Sequence, residues 1–328
     1  MKESSPRPGI VRNIINDPVF KPLVALLLMA LAMTFLSENF MTSDNIFNVL
    51  RQTSVNLCIA VGMTLVIITG GIDLSVGSVL ALSGAVAAGM AHEGFSLESA
   101  DTYVSVTFWG CCLAAMIVGT IFGAMNGVLI TRFKVPPFIA TLGVMTICRG
   151  LTMLYTGGFP ITDLGDGFEF LGTGWLLGIP MPVWVAVIVI CLFVFFMRNS
   201  RTGRYICNEK ASLLSGIRVG RVVIFVYTVA GILSAIAGIL VTARLDSAQP
   251  NAGTGYELDA IAAVVIGGAS LSGGRGSIIG TVIGALIIGV LNNGLVLLDV
   301  SPFWQQVIKG LVILLAVIID RFSSRKNL

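Results

Sequence analysis

Long apolar runs separated by short polar loops confine this chain to a membrane. The runs cover roughly Pro22–Leu36, Ile46–Thr69, Val76–Ala91, Val104–Ile130, Phe138–Tyr155, Val183–Met197, Val222–Ala243, Leu258–Leu271, Ile278–Leu298 and Trp304–Ile319. No single water-soluble core accommodates so many segments of this length, whereas a helix crosses about 30 Å of hydrocarbon with about 20 apolar residues. Of the 328 residues, 55% are hydrophobic and 11% charged, with a mean hydropathy of +0.94, which excludes a soluble domain. The expectation is an all-α polytopic membrane protein of about ten transmembrane helices. Val76–Ala91 and Leu258–Leu271 are short for a crossing, so each reads as a half-helix or re-entrant segment as well as a span.

Loop charges test that count, because Lys and Arg stay on the cytoplasmic side of a membrane. Ser37–Asn45, Gly157–Pro182 and Leu298–Phe303 carry acids but no Lys or Arg, and His92–Tyr103 carries Glu93, Glu98 and Asp101. Between them, Thr131–Pro137 holds Arg132 and Lys134, and Arg275 marks a later loop. Arg321, Arg325 and Lys326 close the chain. Only Ala243–Asp259 is mixed, with Arg244 against Asp246, Glu257 and Asp259. Ten spans with both termini cytoplasmic satisfy nearly every loop. The division is a cytoplasmic tail over 1–21, a membrane domain over 22–319 and a second cytoplasmic tail over 320–328. Lys2, Arg7 and Arg12 precede Val19–Leu36, which carries Lys21 near its start, and no small-x-small cleavage site follows, so this segment reads as a retained first span. Trp109, Trp175, Trp184 and Trp304 fall near span ends, as an aromatic belt does.

The loop 198–221 is the one long basic island. Arg198, Arg201, Arg204, Lys210, Arg218 and Arg221 face a single acid, Glu209, and a short helical pattern ends at Ser215-Gly216. A basic, partly helical cytoplasmic loop serves either as a docking surface for a partner or only to fix topology.

An internal echo links two Gly-Gly turns. Gly70-Gly71-Ile72-Asp73-Leu74-Ser75-Val76-Gly77 and Gly267-Gly268-Ala269-Ser270-Leu271-Ser272-Gly273-Gly274 share the pattern GGxxLSxG, and a Gly- and Ala-rich helix follows each. Duplicated halves with broken helices near a central pathway are a transporter plan; the alternative is that Gly-rich helix breaks resemble one another by chance. Around Gly70 and Gly71, Asp73 and Ser75 read either as a pathway or gate element or as the N-cap of the next helix. Arg149, deep in its run, faces a cavity, a partner or the interface. Asn56, Asn126, Asn292 and Asn293 serve a polar pathway or act as interhelical hydrogen-bond glue.

Absences narrow the chemistry. The chain has no Gly-Lys dipeptide, hence no phosphate-binding P-loop, and neither HExxH nor GxSxG. One histidine, His92, and six cysteines without a CxxC pair suggest no metal site and no disulfide framework. A net charge of +3 carries no nucleic-acid signal. Nothing pairs a nucleophile with a base, so an intramembrane enzyme is disfavoured. A pump built on this chain takes its energy from another subunit; a stand-alone secondary transporter or channel for a small polar solute is the alternative, against which the lack of mid-membrane acids counts.

Several stretches resemble a known family: Gln52–Asn56, Ala60–Ser78, Phe138–Leu142, Ser247–Val265 and Leu291–Leu295 are similar to the ribose-type permease subunits of bacterial ABC sugar importers. The likeness runs from about Phe40 to Ile319. It implies a homodimer or paired permeases among the lipids of the inner membrane. A cytoplasmic ABC ATPase docks below, and a periplasmic binding protein delivers ribose or a related monosaccharide. ATP and Mg would sit on the ATPase, with no cofactor on this chain. The basic island becomes the coupling loop, in which Gly203, Arg204, Tyr205, Asn208, Glu209, Ser215, Gly216 and Ile217 match the family's pattern. One departure stands out: the family carries about four further residues, one helical turn, where only Cys207 separates Ile206 from Asn208 here.

Overall fold

A computed structural model of the protein describes residues 19–93, 95–97, 102–104, 106–206 and 219–325. Every one of the ten apolar runs is helical. In chain order the helices are α1 Phe20–Leu36, α2 Ser43–Ile68, α3 Val76–Glu93, α4 Phe108–Arg132, α5 Pro137–Thr156, α6 Asp166–Thr173, α7 Met181–Asn199, α8 Arg201–Ile206, α9 Val219–Leu245, α10 Tyr256–Ile266, α11 Ile278–Leu297 and α12 Pro302–Arg325. By length and apolarity α2, α4, α5, α7, α9 and α11 are able to cross a membrane, while α1, α3 and α12 carry shorter apolar stretches. The short helices α6 and α8 were not foreseen from hydropathy, being too brief to leave a periodic signal.

Local chemistry starts the helices where they start. The Thr42, Thr107 and Ser277 hydroxyls accept the amides of Asn45, Gly110 and Gly280 at the beginnings of α2, α4 and α11. Proline occupies the first turn of α5 and of α7, where no amide is needed. Helix α2 runs through the centre and is buried over most of its length. Small residues set the closest packing. Gly119, Gly123 and Gly127 of α4, four residues apart, lie on Gly231, Tyr227 and Ile224 of α9, and a Cβ at any of them would meet backbone at 2.3–2.6 Å. In hydrocarbon, where apolar burial gives little drive to association, such close backbone contact is what holds helices together.

The bundle has two chemically distinct ends. At the basic end, Thr131 of α4 lies against Gly220 of α9, and the ends of α2 and α10 turn back. At the acidic end, β3 (Ile161–Thr162) pairs antiparallel with β6 (Ser247–Ala248), and β4 (Trp175–Leu176) pairs with β5 (Ile179–Pro180). A third antiparallel pair is formed by β1 (Phe95–Leu97) and β2 (Thr102–Val104). Short α6 packs there against α9, with Gly172 on the Ala243 carbonyl. All four tryptophans lie at the helix starts and strands of this same end.

The two runs flagged as short differ in outcome. Helix α3 has 18 residues, about 27 Å, and nearly reaches across. Helix α10 has 11 residues, about 16 Å, and is a half-helix.

Candidate functional site

The two Gly-Gly turns meet at the basic end. The Gly274 amide donates to the Ile68 carbonyl at 2.8 Å, and Gly273 lies on the backbone of Gly70. The echo in sequence is therefore a neighbourhood in space, with both turns at the same end of the molecule. Each closes its helix with the same pair of bonds: Gly71 N to Val66 O and Gly70 N to Ile67 O in the first, Ala269 N to Val264 O and Gly268 N to Val265 O in the second. Gly70 and Gly268 are the left-handed residues, at φ 75° and 90°. The structural correspondence is thus displaced by one residue from the GGxxLSxG match.

Beyond the first turn, Asp73 and Ser75 build a buried polar knot. The Asp73 carboxylate accepts from the Ser75 hydroxyl at 2.6 Å and from its amide at 2.9 Å, while Asn126 of α4 donates to the Ser75 hydroxyl at 2.9 Å. The Ser75 carbonyl accepts the Val79 amide, which makes Ser75 the residue that opens α3. Asp73, Ser75 and Asn126 are all buried, and the Tyr227 hydroxyl lies against Gly71 with no partner of its own among the described residues.

Arg149 faces the chain connecting α9 to α10. Its Nη1 donates to the carbonyls of Pro250 and Ala252, each at 2.9 Å. Asn292 and Asn293 bind interhelical partners. Asn293 and Asn45 of α2 exchange amide hydrogen bonds at 2.7 and 3.0 Å. Asn292 donates to Asp259 at 3.4 Å, and Asp259 forms an ion pair with Lys309 of α12 at 3.1 Å. Sequence reading missed that pair, which is the one ion pair among the described residues. Its signal was a lone lysine inside the run Trp304–Ile319, facing an acid at the start of another apolar run. The expectation of no acid at mid-membrane depth is corrected by Asp259, buried in the half-helix α10.

Helix α2 carries a polar ridge, Asn48, Gln52 and Asn56, at the four-residue spacing that stacks side chains on one face. Asn48 accepts from Arg244 at 3.4 Å. Arg51 lies 5.0 Å over the Trp175 ring. Asn56 is buried, and its Oδ1 has no partner among the described residues. Of the four asparagines named from sequence, Asn56 is the one with no hydrogen bond to another described residue, while Asn126 and Asn292 donate but also keep an unpaired Oδ1.

At the basic end, α8 is folded tightly onto the end of α7. The Ser200 hydroxyl accepts the Gly203 amide at 2.8 Å, and a Cβ on Gly203 would meet the Met197 backbone at 2.7 Å. Arg204 is exposed, Tyr205 half-buried, and Ile206 enters the core. Asn208, Glu209, Ser215, Gly216 and Ile217 lie outside the described residues. No cluster of three or more His, Cys, Asp or Glu able to hold a metal occurs among the described residues.

Residues 45–317 match the family described as branched-chain amino acid transport system / permease component. The chain is 51% identical over 308 residues to the ribose import permease protein of Escherichia coli strain K12, with 92% of each chain covered. It is 47% identical over 336 residues to the ribose import permease protein of Haemophilus influenzae, with 100% of each covered. To the D-allose transport system permease protein of Escherichia coli strain K12 it is 38% identical, over 88% of this chain and 86% of that one. The chain belongs to the permease family described as branched-chain amino acid transport system / permease component.

Proposed function

We propose that this chain is the membrane-spanning permease subunit of an ATP-driven ABC importer that carries ribose. The observation behind the sugar is the similarity at 51% identity over nearly the whole length to ribose import permeases, a degree well above that to the D-allose protein. The polar ridge on α2, exposed at Asn48, half-buried at Gln52 and buried at Asn56, supports a polar, uncharged cargo. Asn56 keeps an unpaired amide oxygen within a helix otherwise surrounded by protein, and an unpaired buried polar atom costs about 1–3 kcal/mol unless water or a solute meets it.

In this reading the basic end is cytoplasmic and the acidic end faces the periplasm, as the charge distribution requires of an inner-membrane protein. Two copies of the chain form the transmembrane unit. A binding protein presents the sugar at the acidic end, and an ABC ATPase holding ATP and Mg docks at the basic end. Gly203 seats α8 against α7, leaving Arg204 exposed beside the remainder of the 198–221 loop as the ATPase contact. The deeper positions Gly70, Gly71, Asp73, Ser75 and Asn126 then form a frame behind that contact, through which motion at the basic end reaches α3 and α4.

The test is ATP hydrolysis in reconstituted vesicles containing this chain, its ATPase and the binding protein, with and without ribose. Ribose-dependent stimulation is the expected result. Stimulation by another sugar alone overturns the cargo, and failure of the ATPase to bind overturns the importer reading itself.

A further inference from the structure

The segment between α9 and α10 enters the membrane as irregular backbone. Helix α9 has 27 residues, about 40 Å, and delivers Leu245 to the acidic end, where Ser247–Ala248 pair with Ile161–Thr162. The next five residues, at most about 18 Å of extended chain, carry the backbone to Gly253. There the Gly253 carbonyl lies 2.3 Å from where a Cβ on Gly77 would stand, and Gly77 is in the first turn of α3, at that helix's basic-end start. Helix α10 covers only the remaining half-thickness. The stretch Pro250–Gly255 therefore lies at hydrocarbon depth without being helical.

Such backbone persists only where it is buried in protein or meets water. Part of it is buried and satisfied. Arg149 holds the Pro250 and Ala252 carbonyls, the Thr254 hydroxyl donates to the Asn251 carbonyl at 2.8 Å, and Glu257 accepts the Gly255 amide at 3.3 Å. Asn251 and Thr254 are nonetheless exposed, and their backbone amides have no acceptor among the described residues. Lipid offers no acceptor either. At this depth such amides need water or another polar surface to meet them.

Resting on the reading of the chain as a sugar permease, we infer that Pro250–Gly255 is a wall of the water-filled solute pathway. Asn251 and Thr254 present amide, hydroxyl and carbonyl groups to a neutral polyhydroxylated solute, and Arg149 is the positioning residue that fixes the loop from behind.

The test places a single cysteine, Thr254→Cys or Asn251→Cys, in the full transporter, with Cys191 and Cys207 replaced by serine. Ile188→Cys is the control: this side chain is 63% exposed on the apolar flank of α7. A charged, membrane-impermeant methanethiosulfonate is expected to modify the loop cysteines and not Ile188→Cys. Ribose should slow the modification, and modification should abolish ribose uptake. Adding Arg149→Leu should remove the protection by ribose, and Arg149→Lys should restore part of it. Loop cysteines as unreactive as Ile188→Cys overturn the inference, as does full uptake after complete modification. If the unmodified transporter does not move ribose, the assigned cargo fails, while the comparison of labelling rates still decides whether the loop faces water.

Discussion

At the first Gly-Gly turn, Gly70 supplies the left-handed residue and Gly71 the close approach, since a Cβ there would fall 2.3 Å from the Tyr227 hydroxyl. At the second turn the order is reversed. Gly268 is left-handed, and Gly267 packs against the Gly280 carbonyl, 2.4 Å from where its Cβ would stand. Both turns need one glycine for conformation and one for space, so both show the same dipeptide, yet the fold aligns them one residue apart. A matched pattern therefore certifies the helix stop but not the residue-by-residue equivalence beyond it. Ser270, which the pattern sets against Asp73, has no counterpart of the Asp73–Ser75–Asn126 knot around it. The helices leading into the turns differ as well. Helix α2 is secured by burial along its length, and the half-helix α10 is secured at its start by the Asp259–Lys309 pair.

The largest effect should come from removing that anchor. Lys309→Met leaves Asp259 buried with only the long contact to Asn292, a loss of about 3–5 kcal/mol for one partner of a buried pair. In detergent the variant should melt well below the parent, and adding Asp259→Leu should recover most of the loss. Next is Gly267→Ala, whose new methyl meets backbone atoms at 2.4–2.7 Å and has nowhere to go, an overpacking of about 3 kcal/mol. Gly71→Ala should cost less, about 2 kcal/mol, because it presses on a side chain. Tyr227→Phe removes the offending oxygen and leaves the next atom at 3.2 Å, so the double variant should regain the parent's melting temperature. Smallest and most alike should be Gly70→Ala and Gly268→Ala, each about 1–2 kcal/mol for forcing alanine into the left-handed region. The latter two falling far apart in a thermal-shift series would break the proposed correspondence.

Much of the fold was legible because hydrocarbon thickness writes itself into sequence. Each run from Pro22–Leu36 to Trp304–Ile319 is a helix, and the shortness of Leu258–Leu271 announced the half-helix α10. Little of the site was legible in the same way. Arg149 is satisfied by main-chain carbonyls about a hundred residues away, and a carbonyl carries no sequence signature. Asn293 was visible, but its partner Asn45 sits outside the run assigned to its helix. Lys309 and Asp259 lie on different helices, and neither charge alone indicates the other. Gln52 entered the sequence reading only within the Gln52–Asn56 likeness and not as a pathway residue, because polar spacing on α2 gains meaning only once that helix is known to be buried.

The most direct test of the account is uptake of radiolabelled ribose into proteoliposomes that hold this chain with its ATPase and binding protein. Accumulation above the external concentration, dependent on ATP and abolished in an ATPase-dead partner, is the predicted result. Uptake that only equilibrates the sugar, or that proceeds unchanged without ATP, would contradict it and point to a stand-alone transporter or channel.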